Sequence, residues 1–346
     1  MWFYSVIFFF LLGMLSAGYF FKFQKPSYWF CIIILVLIAA FRPAGTDKDH
    51  AIYLQYYEDI NSIPFSFLEP TYFLIAGISR ILFNGPIGIF ILYSILGVSL
   101  KGMAFIKLSK YYSISLILYF GSFFLLHEMT QIRVGVAAAI LLLSIPSIVE
   151  RKPQKFLIYL ITGCLFHYSA IIFGFVYFLN PRRINPILYI GMIFFTFLAV
   201  LAGFNLTMFF QLIRLGFISD KLNAYKMLLE AGVNSDIKLL NPLLFLRIII
   251  VTWLLLKWEI LQEKNRYSVI LIKVYAFSIF FFIAFSDLPV LAGRLSQLFG
   301  IVEIVLVPFV IYILNPKYIA VAIAIMFAML IMYKQLYYSD LVGSYF

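Results

Sequence analysis

The groups in this 346-residue chain with the means to do chemistry are its three histidines and a few charged residues set among long apolar runs. A charge carried to membrane depth costs at least about 2.5–3.5 kcal/mol on insertion scales, so each such residue is a functional candidate. The richest stretch runs Arg42-Pro-Ala-Gly-Thr-Asp47-Lys-Asp49-His50-Ala-Ile-Tyr53-Leu-Gln-Tyr56-Tyr57. It reads either as a solvated interfacial helix or as a glycan- and phosphate-binding segment. In the second reading aromatics stack on sugar rings, while Arg42 and the carboxylates take phosphate and hydroxyls. Asp47 and Asp49 also have the D-x-D spacing of metal sites, but that pattern is common by chance and no metal is expected.

Glu69 stands before Pro70 at the head of an apolar segment. Either burial raises its pKa towards the range of a general base, or it is a helix N-terminal charge with Pro70 in the first helical position. Arg133, in Gln131-Ile-Arg133-Val-Gly135, opens a span whose small residues permit close helix packing. An arginine there calls for an anion: a phosphate, which its guanidinium binds bidentately, or a salt bridge to Glu128 or Glu69. His167 lies among apolar residues, where a satisfied core histidine is the ordinary case; its position at a suspected turn opens a functional reading. Arg294 begins a later span and is a second phosphate candidate, with Glu303 expected as its internal counter-ion. P-loop, G-x-S-x-G, H-E-x-x-H and C-x-x-C motifs are all lacking, which disfavours ATP hydrolysis, serine hydrolase chemistry and structural zinc.

The elements that hold these residues must be membrane helices. The chain is 64% hydrophobic and 12% charged, against about 45–50% and 25% in soluble domains, so it reads as one all-α polytopic membrane domain over 1–346. The net charge of +11 sits in short clusters between apolar runs, the pattern of cytoplasmic loops rather than nucleic-acid binding. Apolar runs fall near 3–21, 27–41, 67–83, 86–106, 113–127, 131–149, 155–179, 186–204, 241–257, 267–286, 295–314 and 317–333. They predict 10–13 spans. Residues 1–21 lack a basic leader and read as a retained first span with its N-terminus outside. Cys31 and Cys164 sit in apolar runs as packing residues.

Placing the basic loops in the cytoplasm leaves segments near 42–66, 127–133, 205–240 and 287–294 on the outer face. Two regions conflict with simple alternation. Residues 155–179 lie between two basic loops, which predicts a hairpin of two short halves turning near His167-Tyr168-Ser169. Residues 67–83 predict a re-entrant or broken segment. Such backbone is tolerated only beside protein or a water-filled cavity.

In order, Arg42…Asp47, Glu69-Pro70-x-Tyr72, Gln131-Ile-Arg133-x-Gly135, Phe166-His167-Tyr168-Ser169-Ala170 and Gly293-Arg294-Leu-Ser296 resemble the EpsG family, the Wzy-type polysaccharide polymerases of bacterial surface-glycan clusters. Thr71 stands where the family often has glycine, and Val134 where a polar residue is common. The resemblance implies a GT-C-like membrane glycosyltransferase of the bacterial plasma (inner) membrane, with its active site facing the periplasm or exterior. It would join undecaprenyl-diphosphate-linked oligosaccharide units, O-antigen being the commonest product. Implied partners are that lipid-linked substrate, membrane lipid and a chain-length co-polymerase, with neither cofactor nor nucleic acid. Arg133 and Arg294, with Arg42, would meet the diphosphate as negative charge develops. Glu69 or His167 would take the acceptor proton, Asp47 and Tyr53 would help bind sugar, and Gln131 would contact substrate. The rivals are a lipid-linked glycan flippase or other transporter, an O-antigen ligase and, more distantly, a multi-span acetyltransferase.

Overall fold

The computed structural model describes residues 2–64, 68–204, 239–338, 341–343 and 345. The predicted outer segment 205–240 therefore lies outside the described residues, save its last two, as do residues 65–67. The fold is all-α and polytopic. In chain order the helices are α1 (Trp2–Phe20), α2 (Gln24–Ala40), α3 (His50–Glu58), α4 (Pro70–Phe83), α5 (Ile87–Leu108), α6 (Tyr112–Tyr119, continued by a π-helix Phe120–Thr130), α7 (Ile132–Val149), α8 (Pro153–Phe166, followed by a 3₁₀-helix Tyr168–Phe178) and α9 (Pro186–Leu201). After the undescribed stretch come α10 (Pro242–Leu256), α11 (Trp258–Lys264), α12 (Ser268–Ala284), α13 (Pro289–Gly300) and, beyond short helical turns, α14 (Lys317–Tyr337).

Among the described residues, six helical segments are long and apolar enough to cross a membrane: Trp2–Phe20, Ile87–Leu108, Tyr112–Thr130, Ile132–Val149, Pro289–Ile313 and Lys317–Tyr337. Aromatics mark both ends of the first and last. Trp2 and Tyr19 are exposed at the two ends of α1, and Tyr318 and Tyr337 at those of α14, as expected where amphipathic rings settle at headgroup level. Helix starts follow local chemistry. Pro70, Pro153, Pro186 and Pro242 occupy first-turn positions, and the Asn185 and Asn241 side chains accept from the Leu188 and Leu244 N–H groups.

Contacts divide the chain into two compact units, Met1–Gly174 with Ile304–Phe346, and Phe175–Glu303. In the first, the predicted hairpin is present, whereas the segment expected to be re-entrant or broken forms one short, unbroken helix, α4. The break after α8 falls at His167, whose backbone is extended. A Cβ built on Gly163 would stand 3.5 Å from that of Ala170, and one on Gly174 would stand 3.2 Å from Leu160 Cδ2. These pairs are symmetric about residues 166–167, so the two halves fold back on each other as a hairpin. At about 1.5 Å per residue, α4 is only about 21 Å long, short of the about 30 Å hydrocarbon core. It ends at Asn84 in the left-handed region (φ 49°) and turns onto α5, where a Cβ on Gly88 would come within 2.5 Å of Ser79 Oγ.

One end of this unit is tied together by Val342, Gly343 and Tyr345. Val342 bridges Asp47, the Gly343 N–H donates to the Thr46 carbonyl, and the Tyr345 hydroxyl donates to the Ile38 carbonyl at 3.0 Å while its ring stacks on Phe3. The start of α1, the end of α2 and the 42–50 loop therefore share one side of the membrane. With Cys31 and Cys164 replaced, cysteines at Trp2 and Lys48 should react alike with an impermeant maleimide added to intact cells, and one at Lys25, at the other end of α2, should behave oppositely. Opposite labelling of Trp2 and Lys48 would contradict the fold.

In the second unit Glu303 is paired, but not with Arg294 as expected. Its carboxylate meets Arg247 Nε at 2.8 Å and accepts from the Tyr275 hydroxyl at 2.7 Å. Arg247 lies on α10 and Tyr275 on α12, so the pairing is set by helix packing rather than by closeness in sequence. Lys273 Nζ donates to the carbonyls of Asn180 and Arg183 and fixes the basic turn that carries Arg182.

Candidate active site

Glu69 and His167 meet because two helix ends do. Glu69 is the residue before α4, extended at φ −68°, ψ 144°, and His167 is the extended residue after α8. Thr71 Oγ1 donates to the Leu165 carbonyl at 2.7 Å, and the Tyr168 hydroxyl to the Leu68 carbonyl at 3.2 Å, so hydrogen bonds on both sides of Glu69 clamp the two ends together. The Thr71 hydroxyl is one of these clamps. Glu69 does not cap α4 with its side chain. Instead Oε1 lies 2.8 Å from His167 Nδ1, and Oε2 accepts from Arg133 Nη1.

Arg133 reaches Glu69 from the second residue of α7. A one-residue turn at Gln131 (φ −90°, ψ 57°) separates α7 from the π-helix. Its guanidinium stands 5.9 Å and 6.0 Å from the Tyr53 and Tyr56 ring centres on α3, within cation–π range. The Arg133 side chain is 21% exposed, against 5% for Glu69. Tyr53 is placed by α4, since its carbonyl accepts from the Tyr72 hydroxyl at 2.7 Å.

The electrostatics correct one expectation. Burial does push the Glu69 carboxyl upward, but the hydrogen bond from His167 and the charge of Arg133 outweigh it, and the group is held below the usual carboxylate range. Glu69 is thus a weak base. Burial pushes the Tyr53 phenol up to about 12, although the Arg133 charge pulls the other way. His167 Nε2, on the far side of the ring from Glu69, is buried without a hydrogen-bond partner among the described residues, and so is Gln131 Oε1.

Arg42 and Asp47, expected to face diphosphate and sugar, face each other. Arg42 Nε donates to Asp47 Oδ2 at 2.6 Å, both side chains are fully buried, and Arg42 Nη1 donates to the Ala39 carbonyl. Arg42 and His50 both lie against the Phe90 ring. This pair supports the loop beneath α3 rather than standing open to a ligand. Burial raises the Asp47 carboxyl, but the nearby His50 imidazole, 3.8 Å away, and the Arg42 guanidinium bring it below its ordinary value. Asp47 therefore contributes stability that is present above about pH 3.9 and lost as pH falls through its lower folded value. Acid should lower the melting temperature of the detergent-solubilised protein below about pH 4, and Asp47→Asn should flatten that slope.

Arg294 lies in α13 of the second unit. Besides Arg247 and Lys273, a charged residue overlooked in the sequence is Lys101, which lies in the middle of α5. It is fully buried and donates to Glu128 and, at 2.8 Å, to the Gly135 carbonyl. The Glu128 counter-ion considered for Arg133 is therefore taken.

Fold and site together define a polytopic helical membrane protein with a buried carboxylate–imidazole–guanidinium cluster. A sequence model of the EpsG family matches residues 25–346, and the chain belongs to that family. It is a membrane protein of the polysaccharide polymerase type. No curated protein and no solved structure matches it.

Proposed function

We propose that the chain is a glycosyltransferase that joins undecaprenyl-diphosphate-linked oligosaccharide units at the outer face of the bacterial plasma membrane, with O-antigen as its product class. The observation that carries this reading is the Glu69 carboxylate bridging His167 Nδ1 and Arg133. An ionised carboxylate at Nδ1 selects the tautomer with the proton there and leaves the Nε2 lone pair directed away from Glu69. Nε2 is then the base for an acceptor hydroxyl. As that proton moves to Nε2, the hydroxyl oxygen bonds to the donor's anomeric carbon. The carbon–oxygen bond to the diphosphate breaks, and undecaprenyl diphosphate leaves with the electron pair.

The leaving group gains negative charge in the transition state, where preorganised cations act most strongly. Arg133 uses one guanidinium nitrogen on Glu69 and is partly exposed, so its fork retains donors for a phosphate oxygen. Glu69 is a positioning residue that orients His167, and the half-buried Tyr56 offers a ring face to a sugar, whereas Tyr53 is packed in the core against Tyr72 and Phe90 and braces the Arg133 side chain. A transporter would use such charges to pass substrate across the membrane. A buried imidazole oriented by a carboxylate favours chemistry instead.

The test is the surface glycan of a deletion strain, resolved by size. Loss of the long ladder with one repeat unit still on lipid A core is expected. Failure of even one unit to reach the core would indicate a flippase. Long polymer left on its lipid carrier would indicate a ligase, and an unchanged glycan would sink the assignment.

A further inference from the structure

We propose that Lys101 and Glu128 are positioning residues whose ion pair sets the turn at Gln131 and so holds Arg133 against Glu69. This rests on the reading of Arg133 above. Both side chains are buried inside segments long and apolar enough to cross a membrane. Desolvating such charges is costly, and a buried pair is often replaceable by apolar side chains without loss of stability, so stability alone does not account for it. Its geometry does. Lys101 Nζ grips both limbs of the turn, donating to Glu128 Oε1 three residues before Gln131 and to the Gly135 carbonyl four residues after it. The Tyr119 hydroxyl donates to the same Glu128 oxygen at 2.7 Å.

The three helices meet there because two positions lack a side chain. A Cβ on Gly97 would stand 2.1 Å from Glu128 Oε2, and one on Gly135 2.5 Å from the His127 carbonyl. The Gln131 N–H donates back to the Leu126 carbonyl at 2.8 Å, in the i→i−5 pattern of the π-helix. Gly135 is two residues beyond Arg133, so fixing its carbonyl fixes the first turn of α7, from which the guanidinium projects. The pair thus acts on the reaction through Arg133, without touching substrate.

Neutralising one partner strands the other charge, so the informative variant is Lys101→Met/Glu128→Leu, assayed in proteoliposomes with lipid-diphosphate-linked repeat units. Wild-type abundance, turnover lowered about tenfold or more with KM little changed, and no further loss when added to Arg133→Ala are expected. This tenfold scale is set by loss of aim of one preorganised donor. Wild-type turnover, or a loss simply additive with that of Arg133→Ala, would overturn the proposal. If the double variant does not reach the membrane, Lys101→Gln/Glu128→Gln, which removes both charges and keeps the side-chain shape beside Gly97, carries the same comparison. A second readout needs no enzymatic activity. With Cys31 and Cys164 replaced, the maleimide labelling rate of a cysteine at Gln131 should change several-fold on neutralising the pair, and an unchanged rate would also overturn it. If instead the wild-type protein polymerises nothing while the labelling changes, the functional reading fails and the positioning of the turn stands.

Discussion

Replacing His167 by alanine is expected to lower polymer turnover by about 10²- to 10⁴-fold, the range that general acid–base catalysis supplies, with the protein still present in the membrane. The side chain is nearly buried, yet among the described residues its hydrogen bonding is confined to Nδ1 and Glu69, so little folding energy rests on Nε2. Glu69→Gln should be nearly as harmful for a different reason. A neutral amide presents its oxygen or its NH₂ group to Nδ1 with similar ease, and the latter turns the Nε2 lone pair into an N–H. Turnover should then fall more than KM rises. Because Glu69 is held below the usual carboxylate range, its own protonation should not limit the wild-type rate above about pH 4.3, its unperturbed value. Turnover across pH 4.5 to 8, measured on reconstituted protein, checks this. A His167→Ala enzyme with more than a tenth of wild-type turnover would remove the imidazole from the mechanism.

The helices were largely legible because their causes are local. Apolar runs bounded by Asn84-Gly85-Pro86, Asn185-Pro186 and Asn241-Pro242 end where a proline or a left-handed residue ends them. The break at His167 was legible for a non-local reason, since basic clusters on both sides of 155–179 cannot both be cytoplasmic around one straight span. Partnerships were harder to read. Glu69 lies 64 residues from Arg133 and 98 from His167, and only helix packing brings them together. Arg42 and Asp47 each looked available to a ligand because the residues that close their loop, Val342 and Gly343, lie almost 300 positions away. Glu303 was assigned to Arg294 by nearness along the chain, whereas the cation beside it comes from α10. Lys101 was passed over because one lysine barely lowers the hydropathy of a 22-residue helix. Its importance is visible only once Glu128 and Gly135 are seen around it.

Arg133→Ala is expected to show two separable losses, and separating them tests the site most fully. Removing one preorganised donor from a developing oxyanion costs about 10²–10³ in turnover. The same change strands Glu69, a carboxylate only 5% exposed, and breaking a buried pair from one side costs about 3–5 kcal/mol of stability. Both follow from one guanidinium, but they respond differently to a second change. In Arg133→Ala/Glu69→Gln no buried charge is left unpaired, so abundance and melting temperature should recover while turnover does not. The pH profile adds a sign. With Arg133 gone, burial is opposed by His167 and a backbone hydrogen bond without the guanidinium charge, so the Glu69 pKa should rise. The ionised carboxylate that orients His167 is then lost as pH falls through this higher value, and the acid limb of the rate profile moves up in pH. Arg133→Lys keeps a charge near Glu69 but lacks the planar fork that engages a carboxylate and a phosphate together. It should restore stability and the wild-type acid limb, yet recover only a small part of the turnover. Full recovery with lysine would mean that the guanidinium serves Glu69 alone, and the diphosphate would then have to be met elsewhere.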